Sequence, residues 1–323
     1  MTIMTWMKMK GILILVILFK IPSANNLRIQ VLRSVDRWSA DENHEASIYN
    51  AYLHAIENAQ HSIYIENQFF ISSQSGVFLK VENQLLSAMA KRIARAYRNG
   101  EDFHIYVIMP LKPEFPGEWD TKSGKDLSKL MIVDDKITII GSANINDRSM
   151  LGSRDSEVAV MIEDVQVMDG RMKGHSFPVG KFSHSLRCHL MREHLGLLDD
   201  ESYNMSTNLK VEDPLELHPR FGEVALANTL TFERVFGGRI TPTDHVWNFD
   251  DLKNRVSIPG LVDFDVNEAK KELSNIRGNI VIYPLLFLAE VLKPSYLDMF
   301  SMYVDTRGDT KDLNFDTEKT FVA

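Results

Sequence analysis

Apolar residues recur at helical spacing through Ile48, Ala51, Tyr52, Ala55 and Ile56, which predicts an amphipathic helix. The next segment, Ser62-Ile63-Tyr64-Ile65-Glu66-Asn67, is short and rich in β-formers, and predicts a strand. A longer helical pattern follows in Phe78, Leu79, Leu85, Leu86, Met89, Ile93 and Tyr97, with Asn99-Gly100 closing it as a C-cap. Phe103 to Met109 reads as a second strand, halted by Pro110. Strand, helix and strand in this order form a βαβ unit, so the two strands are expected to run parallel.

Residues 111–128 break the periodicity with Pro113, Pro116 and Gly124 and predict a loop. Beyond it, Leu130-Met131-Ile132-Val133 and Ile137-Thr138-Ile139-Ile140 flank Asp134-Asp135-Lys136 and predict a hairpin. Ser156 to Ile162 is a further strand, and Phe182 to Leu195 a helix stopped by Gly196. Residues 199–214 are polar and acidic and mark a boundary, which separates a domain over 27–198 from a C-terminal region over 199–323. In that region short helical patterns alternate with Pro-rich joints. The tail from Arg307 is polar and is expected to be mobile.

The first 24 residues stand apart. Lys8 and Lys10 precede an apolar run from Gly11 to Phe19, and Lys20 and Pro22-Ser23-Ala24 follow. The run is shorter than the roughly 20 residues a bilayer span needs. It fits the basic and apolar regions of a secretory signal or a weak anchor, although Pro22 makes a poor cleavage context. An incidental apolar leader is the other reading.

Composition narrows the class. The 323 residues hold 36 Lys+Arg and 44 Asp+Glu, a net charge of −8, with ordinary apolar content. Disorder, collagen and coiled-coil arrays are excluded. The acidic balance argues against a general nucleic-acid binder, but leaves room for a local pocket that holds one phosphate. Cys188 is the one cysteine, so neither an intrachain disulfide nor a thiolate metal cluster is possible.

The chemistry concentrates in Ser128-Lys129-Leu130-Met131-Ile132-Val133-Asp134-Asp135 and in Gly141-Ser142-Ala143-Asn144-Ile145-Asn146-Asp147-Arg148-Ser149. Lys129 opens a strand, and the hairpin returns into a loop of small polar residues. Lys, Ser and Asn gathered at strand ends make an oxyanion site, with one positive charge and several donors. Taken alone, the same residues also read as a solvated edge lysine beside ordinary turn formers.

These blocks resemble the second His-x-Lys-x4-Asp motif and the Gly-Ser-x-Asn that follows it in the eukaryotic phospholipase D family. Lys129 and Asp134 have the motif's spacing, and Ser142 and Asn144 fall at the phosphate-contacting positions. Arg148-Ser149 and Arg154-Asp155-Ser156-Glu157 continue the similarity. So do Leu32 to Trp38, Ile63 to Ile71, and Ile276-Arg277-Gly278 through Pro284-Leu285. The resemblance covers roughly residues 27–300. It implies a phospholipase D-like half-domain, an α/β fold with a mixed sheet flanked by helices. It also implies hydrolysis of a phosphodiester such as phosphatidylcholine to phosphatidic acid and choline, without metal or other cofactor. Lys129 and Asn144 would then hold phosphate oxygens, Ser142 would assist and Asp134 would support the loop. An acidic residue after the motif would orient a catalytic His; Asp155 is the first candidate and Glu157 the second. Glu66 and Asn67 are further supporting candidates.

The departures are chemical. Leu127 stands where the family has the motif's His, and leucine can neither attack phosphorus nor carry a proton. None of the ten histidines is followed by Lys two positions on, so the first motif is absent. The chain therefore resembles the family's C-terminal half, and the stretch between Pro110 and Ser128 is short, as if a segment were omitted.

Three functional readings follow. One is an enzyme assembled with a complementary N-terminal half from another chain. The second is a catalytically dead fragment that binds lipid or a partner, or competes with a full-length relative. The third is a single-motif dimer of nuclease type, against which Leu127 and the charge of −8 both count. The second fits Leu127 best. The expected partners are a phospholipid membrane surface, bound peripherally from the cytoplasm, and a complementary half or a second copy. No nucleic acid is expected. Self-association is expected because a half-domain leaves an apolar face. Trp38, Phe69, Phe70 and Trp247 could form a lipid-facing rim or belong to the core. His184, His189 and Glu193 share a helix, more as a surface than as a metal site.

Overall fold

The computed structural model describes residues 5–9, 12–16, 27–40, 44–73, 81–110, 129–198, 211–239 and 258–282. Contacts divide the chain into two units. Unit one is Met1–Cys188 with Glu212–Leu215, and unit two is His189–Val211 with Glu216–Ala323.

Unit one is built on a seven-stranded mixed sheet. Its strands are β3 (Leu27–Val35), β4 (Glu45–Ala46), β5 (Ser62–Glu66), β6 (His104–Ile108), β7 (Lys129–Val133), β8 (Ile137–Gly141) and β9 (Glu157–Asp164), in the order β4-β3-β9-β8-β7-β5-β6. The expected parallel pair is present, with Ile63 opposite Ile105 and Ile65 opposite Val107. The other pairings are antiparallel. The apolar leader enters a separate antiparallel hairpin, β1 (Thr5–Met9) with β2 (Ile12–Val16). Among the described residues no helix is long and apolar enough to cross a membrane.

Two helices cover one face of the sheet. Helix α1 is the short turn Arg37–Ala40. Helix α2 (Ser47–Asn58) buries Ile48, Tyr52, Ala55 and Ile56, four of the five residues whose spacing predicts it. Helix α3 runs from Leu85 to Asn99, and Phe78 and Leu79, with which the apolar pattern begins, lie outside the described residues. It ends as expected at Gly100, whose φ of 64° is left-handed. These helices and the odd-numbered residues of β5, β7 and β8 form the main core, which includes Ile63, Ile65, Met131, Val133 and Ile139.

The opposite face carries α5 (Lys181–His194), where Thr138 Oγ1 donates to Ser183 Oγ at 3.0 Å. A buried ionic cluster joins this helix to the β7–β8 turn. Arg187 Nε donates to Asp135 Oδ1 at 2.6 Å, and His184 Nδ1 lies 2.7 Å from Asp135 Oδ2. Burial alone would raise the Asp135 carboxyl, but Arg187 and His184 outweigh it and hold it at about 2. Burial would lower the His184 imidazole, yet Asp135 and the Cys188 sulfur at 3.7 Å raise it to about 9. A second hairpin, β10 (Val167–Met172) with β11 (His175–Gly180), has no counterpart in the sequence expectations. Between this hairpin and the C-terminal end of α2 lies a cleft of about 670 Å³ that Arg92, Arg95 and Lys173 help to line.

Unit two is organised by α6 (Pro214–Phe236), most of which it contains, and by α7 (Val266–Leu273). Asn228 Nδ2 donates to the carbonyls of Arg277 and Ile280 at 2.7 and 2.8 Å. Pro219 sits inside α6, so a single 23-residue helix occupies a stretch that the prolines suggested was jointed.

Candidate active site

Lys129 opens β7 directly opposite Gly141, the last residue of β8. Gly141 faces Ala159 on β9 so closely that a Cβ would lie 2.4 Å from the Val158 carbonyl oxygen and 2.6 Å from the Ala159 Cβ. The chain therefore leaves β8 at Ser142 at the same sheet end as Lys129. The loop from Ser142 to Asn146 is then held from two sides.

On one side is β9. The Ser142 backbone N–H donates to the Val158 carbonyl at 3.0 Å, and its hydroxyl accepts from the Val158 N–H at 3.1 Å. The same hydroxyl donates to one carboxylate oxygen of Glu157. Ser149 Oγ donates to the other at 2.6 Å. Burial pushes the Glu157 carboxyl up, against the two hydroxyls and the positive charge of Lys129. Ser149 belongs to α4 (Asp147–Met150), whose N-cap, Asn146, accepts from the Ser149 N–H at 3.0 Å.

On the other side is Asn67, fully buried at the end of β5. Its Oδ1 accepts from the backbone N–H of Ile145 at 3.1 Å and of Phe69 at 3.2 Å, and its Nδ2 donates to the Ala143 carbonyl at 3.4 Å. Asn144 lies between these anchors. Its Oδ1 is buried and has no hydrogen-bond partner among the described residues, and the same holds for Ser156 Oγ. Buried polar atoms are nearly always paired, so these two are exceptions; of the Asn144 amide, Oδ1 can only accept and Nδ2 is the atom able to donate. The Lys129 ammonium and the Asn144 Nδ2 are donors of the kind an oxyanion needs, while the Ser142 hydroxyl commits its one proton to Glu157.

The remaining candidates are placed elsewhere. Asp134 lies just past the far end of β7, roughly 16 Å from Lys129 at the strand rise of about 3.3 Å per residue. Its carboxylate accepts from the backbone N–H groups of Gln60, His61 and Ser62 at 2.7, 2.7 and 2.9 Å. It thus supports the α2–β5 junction instead of the phosphate loop. Asp155 pairs outward with Arg148 at 3.0 Å, and Glu157 takes the inner position instead. Glu66 accepts from the Tyr64 hydroxyl and pairs across with Leu130. Side chains alternate along a strand, so Glu66 shares a sheet face with Leu130 and not with Lys129. Glu66, Asp134 and Asp155 are not brought together.

Phe70 packs on the core, Trp38 is exposed, and Trp247 lies outside the described residues, as does Leu127. No group of three or more His, Cys, Asp or Glu side chains among the described residues is placed to hold a metal. Sequence reasoning missed Ser149 as a site residue; the Asn146-x-x-Ser149 spacing of an N-cap was the available signal.

The mixed seven-stranded sheet flanked by helices defines an α/β protein, with a lysine and a Ser/Asn loop at one sheet end. The phospholipase D family model matches residues 22–127 and 122–213, two pieces that overlap at the stretch containing Leu127. The chain belongs to the phospholipase D family. It is 35% identical to Phospholipase D1 of Homo sapiens over 334 residues, which is 84% of this chain and 30% of that protein. It is 32% identical to Phospholipase D zeta 2 of Arabidopsis thaliana over 358 residues, 86% of this chain and 33% of that protein. The chain thus spans about a third of the length of these curated relatives. Among solved structures, Nuc of Salmonella typhimurium, a phospholipase D family member, aligns with 18% identity and a TM-score of 0.31 over 51% of this chain and 92% of that one.

Proposed function

We propose that the Lys129 end of the sheet binds the phosphodiester of a phospholipid such as phosphatidylcholine, and that this chain is catalytically impaired. The observation that carries the reading is the loop clamped by Asn67 and Glu157, which sets Ser142 and the unpaired Asn144 amide at the strand end that Lys129 opens. Lys129 supplies the charge that compensates a phosphate, Asn144 donates from Nδ2 to its oxygens, and Ser142 assists by fixing the loop through Glu157. The family's nucleophile and its proton donor are both histidines. Leu127 replaces one of them, and leucine can neither attack phosphorus nor carry a proton. The chain acts as a lipid-binding member that docks peripherally on a membrane from the cytoplasm, alone or with a complementary N-terminal half.

The test has two arms. Purified chain is given phosphatidylcholine vesicles and a primary alcohol, and choline and phosphatidyl-alcohol are measured. No release above a Lys129→Ala control is expected. Vesicle cosedimentation is run in parallel, and Lys129→Ala should weaken binding by about tenfold or more, as loss of a charged hydrogen bond predicts. Release that depends on Lys129 would mean another residue replaces the histidines. Binding unaffected by Lys129→Ala would remove the phosphate role of this end of the sheet.

A further inference from the structure

Strand β3 runs beside β9 from Leu27 to Ser34, but β4 meets its outer edge only at Ser34 and Val35. The Arg33 N–H and carbonyl are taken by the Ser47 hydroxyl at 2.8 and 3.1 Å, which shows that odd-numbered residues turn their backbone polar groups outward. The outward groups of Ile29 and Val31 meet no strand among the described residues. Their side chains are also out, 63% and 64% exposed. They continue an apolar face, since Ile29 lies beside Ile162, and Val31 beside Val160 and then Ile140.

Edge strands are normally guarded by lysine, proline, a bulge or an inward charge. Here Leu27 to Arg33 contains no lysine or proline, and its pairing with β9 runs without a bulge. Arg28 pairs with Glu163 of β9 at 3.4 Å and Arg33 with Glu45 at 2.7 Å, so the charge of each arginine is offset by a carboxylate of its own chain.

We propose that this edge is a homodimer interface, β3 pairing antiparallel with β3 of a second copy about Gln30. In that register Ile29 faces Val31 of the partner copy, and the reverse, so apolar meets apolar and each pair exchanges both backbone hydrogen bonds. Arg28 faces Leu32 of the partner copy, so no like charges oppose. The strand is self-complementary, as an isologous two-fold contact requires, and this favours a second copy over an unrelated strand. The two sheets become one continuous sheet, and the exposed apolar faces adjoin. This interface goes beyond the lipid reading and stands without it.

The test is sedimentation equilibrium of the full chain, with cysteine cross-linking in a Cys188→Ser background. A concentration-dependent dimer is expected. Val31→Lys should raise its dissociation constant about tenfold or more while circular dichroism stays unchanged. Gln30 sits on the two-fold axis in a non-hydrogen-bonded pair, with Cα atoms about 4.5 Å apart, within disulfide range. Gln30→Cys should therefore cross-link on oxidation, and Val31→Cys, offset from its own copy, should not. A wild-type monomer at all concentrations would overturn the proposal, as would a dimer indifferent to Val31→Lys. Cross-linking at Val31→Cys without Gln30→Cys would overturn the register, and with it the interface; the cross-link stands as the deciding readout if Val31→Lys fails to fold.

Discussion

Asp134 and Glu157 show how residue spacing and residue placement diverge. The motif pairs Lys129 with Asp134, yet they lie at opposite ends of the five-residue strand that Lys129 opens, and Asp134 spends its carboxylate on three backbone N–H groups there. Glu157, the second choice in the sequence, is the carboxylate that binds Ser142. Replacing Asn67 with Ala leaves the Ile145 N–H and the Ala143 carbonyl unpaired. It should cost about 1–3 kcal/mol in urea unfolding and should weaken vesicle binding as Lys129→Ala does. If stability falls but vesicle binding does not, Asn67 supports the core and not the site. Lys129, Ser142 and Asn144 were legible because they lie within one hairpin and its exit loop. Ser149 was not, because its role depends on a strand eight residues away folding back over it.

At the scale of elements, periodicity served well where one face is buried and the other solvated. Helix α2 and the β7–β8 hairpin follow their patterns closely. Asp134 and Asp135 take positive φ values of 50° and 54° at the turn, a conformation that short polar side chains tolerate. The β10–β11 hairpin carries weak alternation, with exposed Val167 and Met168, and so gave no signal. Just ahead of α3, the Asp147 carboxylate accepts from the N–H groups of Glu82 and Asn83, a tie between distant segments that no periodicity carries. Gly141 is the tightest point between β8 and β9. Gly141→Ala should cost about 1–3 kcal/mol through forced backbone shifts, read as a lower urea midpoint. It should also displace Ser142 and lower vesicle affinity. A midpoint equal to wild type would mean the two strands separate freely there.

The whole of unit one is tied across its sheet by the Asp135, Arg187 and His184 cluster, with Cys188 against the imidazole. The imidazole is raised from 6.5 to about 9 in the fold. Its contribution is therefore fully present below pH 6.5, declines above it, and is lost as pH rises through 9. Asp135 is lowered from 3.8 to about 2, so its contribution is present above 3.8 and lost as pH falls through 2. The unfolding midpoint should fall between pH 6.5 and 9, and His184→Gln should flatten that slope; an unchanged slope would assign it to other groups. Arg187→Ala leaves Asp135 buried without its main counter-charge and should cost about 3–5 kcal/mol, measured by denaturant unfolding.

By itself the sequence determined the α/β class, the parallel βαβ unit, the hairpin that carries Lys129, and the family blocks. Each is local, set by the alternation or periodicity of apolar residues and by turn chemistry over a few positions. The character of position 127 was also decided there, because leucine lacks a titratable group wherever it is placed. Only the tertiary structure decided which carboxylate meets Ser142, which sheet face Glu66 takes, that Asn67 grips the loop, and that the outer edge of β3 at Ile29 and Val31 meets no strand among the described residues. Those outcomes depend on strand order and on alternation carried across neighbouring strands. Both are set by long-range pairing, which the spacing of residues along one chain does not encode.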